Sequence, residues 1–228
     1  MFLDAPCILR YTVHGSVIGH DTEILKFPLL TDCLPDIQEF KEKTDEKRKN
    51  MMNYKKIRIV SAILAVLLIA AVMGNIFLIM NNRAAVWNVI AIAELFAMLF
   101  GLFYVFVGCT KETGAPFFIV CMILQALVYF LLVSLVPNST FGVMLMLIKF
   151  GCLCLLSFAK DLGKKKSFTI SFIYVAACVI SMFEGIRPET FTPAALASLI
   201  ARTENLILAV STLLMVAAKY YDKAARGK

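Results

Sequence analysis

Six apolar blocks, each about as long as a membrane-crossing helix, fill most of the chain, at 59–80, 85–109, 115–136, 140–158, 167–185 and 193–218. A helix needs about 20 predominantly apolar residues to cross a hydrocarbon core about 30 Å thick. A soluble fold of 228 residues has no interior large enough to hide six such blocks. Charged residues make up only 17% of the chain, against about 25% in an ordinary soluble domain. Disorder, an all-β secreted domain and an ordinary cytosolic enzyme are excluded. The pattern predicts an all-α polytopic membrane protein with six transmembrane helices, preceded by a polar, partly helical N-terminal segment.

The expected organisation is an N-terminal segment at 1–58, a six-helix membrane domain at 59–218 and a short basic tail at 219–228. Residues 1–20 lack the continuous apolar core of a signal peptide. In 34–58, Leu34, Ile37 and Phe40 recur at helical spacing, and Pro35 suits a first turn. An amphipathic surface helix is one reading of this charged stretch, and a loosely ordered tail is the other. Met51, followed by Lys55, Lys56 and Arg58, also reads as a start before the first span, which would make 1–50 an over-extension.

Basic residues choose the orientation, because they concentrate on the cytoplasmic side. Lys55, Lys56 and Arg58 precede span one, Lys111 follows span two, and Lys160, Lys164, Lys165 and Lys166 follow span four. Lys219, Lys223, Arg226 and Lys228 close the chain, whereas the opposite side holds only Arg83 and Arg187. Both termini are therefore expected in the cytoplasm. The formal net charge of +7 reads as topology signal, with some affinity for anionic lipid heads. With no zinc spacing and no recognition module, no nucleic-acid partner is expected. Asn138-Ser139-Thr140 matches a glycosylation acceptor and equally suits a helix cap.

The seven cysteines form no Cys-x-x-Cys motif, and both histidines, His14 and His20, precede the spans. The spans thus lack the histidines of haem, zinc or Cys-His chemistry. No cofactor, metal or catalytic residue is assigned.

Polar residues placed deep in the spans carry the functional reading. Glu94, Lys149, Arg202, Glu204 and Gln125 each lie about nine to eleven residues from one edge of their spans, near the midplane at 1.5 Å per residue. Asn75 is nearer the outside, and Asn205 shares a face of span six with Arg202. A charge at this depth is unfavourable by at least about 2.5–3.5 kcal/mol, so these groups should face one another or a polar cavity. The formal charges of Glu94, Glu204, Lys149 and Arg202 cancel, permitting two ion pairs. Span two also carries a stripe of Ala91, Glu94, Ala97, Gly101, Tyr104 and Gly108, suited to close helix contact. Span six bears polar groups on two faces and should be largely surrounded by protein.

The reading that follows is a small transporter or membrane-embedded solute-binding subunit, with Glu94, Lys149, Arg202, Glu204, Gln125, Asn205 and Asn75 as substrate- or ion-binding residues. Its partners would be membrane lipids, a small solute or ion, and either further copies of the chain or a second membrane subunit. The expected setting is the bacterial cytoplasmic membrane. The alternative is a non-enzymatic structural or regulatory protein whose charges hold the bundle or a partner helix. A lipid-modifying enzyme, using Asp161 with Lys160 or Glu184 with Arg187, and a channel are further alternatives.

Overall fold

The structure, a computed structural model, describes residues 34–79, 85–109, 113–135, 139–158, 162–183 and 193–226. These form six helices: α1 (Leu34–Ile79), α2 (Ala85–Val107), α3 (Ala115–Leu135), α4 (Thr140–Phe158), α5 (Lys164–Phe183) and α6 (Pro193–Arg226). All six are long and apolar enough to cross a membrane. Of the expected breaks, 81–83 and 187–190 lie outside the described residues, as do 111–112 of the break at 111–114 and 160–161 of the break at 160–166. So do Asn138, Glu184, both histidines, Cys7 and Cys33.

Local chemistry explains several helix ends. Gly108 follows α2 at φ 111°, a backbone conformation that side chains disfavour. The Ser139 hydroxyl accepts the Gly142 N–H at 3.0 Å, so Ser139 caps α4. Pro193 opens α6, where its missing N–H leaves no bond unmade. Two helices outrun their apolar blocks. α1 begins at Leu34, and α6 continues through residues 219–226, where Asp222 pairs with Arg226 at 2.7 Å.

Chain contacts divide the protein into Met1–Lys41 and Glu42–Lys228. In the second unit, each of α2 to α5 packs on its successor, and α6 packs back on α2. Five helices thus close a ring in sequence order. The small-residue stripe of α2 faces inward: Ala91, Glu94, Ala97 and Tyr104 are all buried. Gly101 lets α2 approach α6 closely, since a Cβ there would meet Met215 Sδ at 3.0 Å.

α1 lies against the outside of this ring. Its buried residues Ile57, Ser61, Ala65, Leu68, Val72 and Asn75 form one narrow stripe at helical spacing. Early in the helix, the Tyr54 hydroxyl donates to the Val105 carbonyl at 2.5 Å, and Arg58 stands 4.4 Å over the Phe106 ring. Later, Asn75 reaches Glu204 on α6. Meanwhile Ile63, Val66, Met73 and Phe77 are exposed on α1, as are Phe96, Phe130, Leu147 and Phe172 on α2 to α5. In water such a surface would drive aggregation, whereas in a bilayer it is the lipid-facing side. α6 differs: no residue between 199 and 218 is exposed. This agrees with its two polar faces, neither of which could meet lipid.

Candidate functional site

Glu94, Gln125, Lys149 and Glu204 are at most 4% exposed, and they come from four different helices. The polar residues around them fall into two arrangements.

The first is centred on Gln125. Its Nε2 lies 3.1 Å from the Thr212 hydroxyl and 3.2 Å from Cys121 Sγ, and its Oε1 accepts from the Tyr174 hydroxyl at 2.9 Å. Tyr174 and Tyr129 share a hydrogen bond at 3.1 Å, and Tyr129 also contacts Cys178 Sγ at 3.6 Å. Lys149 Nζ stands 5.3 Å over the Tyr129 ring, within cation–π range. This network joins α3, α5 and α6, and Lys149 brings a charge to it from α4.

The second arrangement is the α1–α6 contact. Asn75 Nδ2 donates to Glu204 Oε1 at 3.4 Å, with both residues 2% exposed. Asn75 Oδ1 is buried and has no hydrogen-bond partner among the described residues.

Two other expected site residues sit elsewhere. The Arg202 guanidinium donates to the carbonyls of Ser181 and Met182, at 3.0 and 3.4 Å. The last carbonyls of a helix lack intrahelical partners, and its C-terminus attracts a cation. Arg202 therefore caps α5. Asn205 is half-buried, and its Nδ2 donates to the Ala201 carbonyl of its own helix at 2.9 Å. Conversely, Tyr129, Tyr174, Cys178 and Thr212 join the polar core although they were not assigned to the site. For Tyr129, Tyr174 and Cys178 the signal in the sequence was the i, i+4 spacing of Gln125 with Tyr129 and of Tyr174 with Cys178.

The six apolar helices, the lipid-type surface and the buried polar core together define a helical integral membrane protein. No family model, curated protein or solved structure matches the chain.

Proposed function

We propose that the protein is a small membrane transporter, or a membrane-embedded solute-binding subunit, acting in a bacterial cytoplasmic membrane with both termini inside. Glu94, Lys149 and Glu204 form its working centre. The observation that carries this reading is their near-complete burial on three helices of one ring. Burying ionisable groups at this depth is unfavourable, and in membrane proteins such groups mark ion and solute pathways. Lys149 offers an anionic group a partner, and either acid can hold a cation or a proton. Gln125 and Asn75 supply neutral hydrogen bonds beside them.

A structural reading is favoured at one place only. Both ends of the Gln125 amide are bonded to neighbouring side chains, as expected of a group that holds helices together.

The test is charge displacement by reconstituted protein on a solid-supported membrane. Solution exchanges would present monovalent cations, short carboxylates, amino acids and a pH step in turn. The transport reading predicts a transient current with at least one of these, lost in Glu94→Gln or Lys149→Met protein of matched density. Absence of current with every class, from correctly folded wild-type protein, would favour the structural reading.

A further inference from the structure

Asn75 and Gln125 are both buried amides, but only one is held in place. An amide has a donor end and an acceptor end of nearly equal size. Gln125 has separate partners for its two ends, so turning it over would break several hydrogen bonds. Asn75 Nδ2 faces Glu204, and its far atom Oδ1 has no hydrogen-bond partner among the described residues. Turning Asn75 over therefore disturbs only its contact with Glu204. With the NH₂ group toward Glu204, Asn75 suits a carboxylate, which only accepts. With Oδ1 toward Glu204, it suits a carboxylic acid, which donates.

We infer that Glu204 is a reversible proton-binding site and that Asn75 is the partner that turns over with its protonation state. A proton from water forms an O–H bond on one carboxylate oxygen of Glu204, converting the anion to a neutral acid. The Asn75 amide rotates half a turn about Cβ–Cγ, and the new O–H donates to Oδ1. Release of the proton to water reverses both changes. No other reactant is needed, and no redox change occurs.

Charge balance points the same way. Among the described residues three acids are buried, Glu94, Glu204 and Asp222, and one lysine, Lys149; Asp222 pairs with Arg226 at 2.7 Å, which leaves Glu94, Glu204 and Lys149 in the balance of the core. With both acids ionised it carries one net negative charge, and a single proton neutralises it. Arg202 directs its charge to the α5 carbonyls. Among the described residues, the buried ionisable groups on the other helices of the ring include Glu94 and Tyr104 on α2, Cys121 and Tyr129 on α3, Lys149 and Cys152 on α4, and Tyr174 and Cys178 on α5. Glu94 is the competing acid. The inference gives the proposed transporter its coupling ion and rests on that reading only for this use. The proton site is tested without transport.

The experiment is infrared difference spectroscopy of the protein in lipid between high and low pH. A protonated carboxyl band should appear at low pH, vanish in Glu204→Gln and survive in Glu94→Gln. In Asn75→Leu it should persist at a higher frequency, because the acid has lost its acceptor. Absence of the band, its loss in Glu94→Gln alone, or a frequency unmoved by Asn75→Leu would overturn the inference. If Glu204→Gln protein does not accumulate, peptide mapping of wild-type protein treated with an apolar carbodiimide makes the assignment. An adduct at Glu204 that increases as pH falls supports the inference. An adduct elsewhere, or none, refutes it. A proton site found here without any solute current would leave the inference standing and remove the transport reading.

Discussion

The α3–α5–α6 seam and the α1–α6 seam each contain a buried amide, and they are built in opposite ways. At Gln125 every strong donor and acceptor close by has a partner, and the side chains come from three helices. At Asn75 one contact of 3.4 Å joins two helices, and an acceptor is left over. A fully bonded polar network fixes one arrangement, because any alternative strands a desolvated group. An amide with one end unbonded loses fewer hydrogen bonds on turning over. The ring thus contains the fully bonded amide, and the contact of α1 with it contains the amide that has an acceptor to spare. α1 itself buries only a narrow stripe and leaves a broad apolar face exposed.

The largest expected effect is at the charged centre that touches both seams. Lys149→Met removes a buried cation and leaves the acids uncompensated, a change of about 3–5 kcal/mol if they stay ionised. Thermal unfolding in detergent should show it as the most destabilised single variant. Stability equal to wild type would mean that Lys149 is solvated, and the buried centre would be lost from the account.

Gln125→Leu comes next. It strips partners from Tyr174 and Thr212 and should destabilise by about 1–3 kcal/mol. Asn75→Leu removes a donor and an acceptor that has no partner, so its effect should be smaller, within about 1 kcal/mol. Unfolding both variants side by side sharpens the contrast between the seams. Equal losses would erase it. The smallest effect belongs to residues 1–50. A chain beginning at Met51 keeps the Ile57–Asn75 stripe and the basic flank of Lys55, Lys56 and Arg58, and should reach the membrane at near wild-type level. Its appearance in the soluble or degraded fraction would show that α1 depends on its polar extension.

The sequence carried the fold well because lipid leaves few choices. Without water, backbone groups must bond within each segment, so six apolar blocks become six helices. The inward stripe of α2 and the enclosure of α6 were legible for the same reason, since small and polar residues avoid lipid. The extents of α1 and α6 were harder to read. Hydropathy marks where a helix leaves the hydrocarbon and does not mark where it ends. Depth alone found the buried groups Glu94, Gln125, Lys149 and Glu204, but it could not reveal direction. Arg202 lies at comparable depth along its helix, yet its long side chain reaches the end of α5. Tyr174 and Thr212 have little hydropathy signal of their own, and their roles emerge only when helices distant in sequence are brought side by side.

The most direct test of the central claim, that one polar arrangement holds the bundle while the charged centre works, joins stability to charge displacement in double variants. Lys149→Met combined with Glu94→Gln, and separately with Glu204→Gln, removes a cation and an acid together, so both desolvation penalties disappear. The account predicts that at least one double variant unfolds near the wild-type temperature and produces no solute- or pH-driven current. A double variant that regains both stability and wild-type current would contradict it, because the buried charges would then be structural alone.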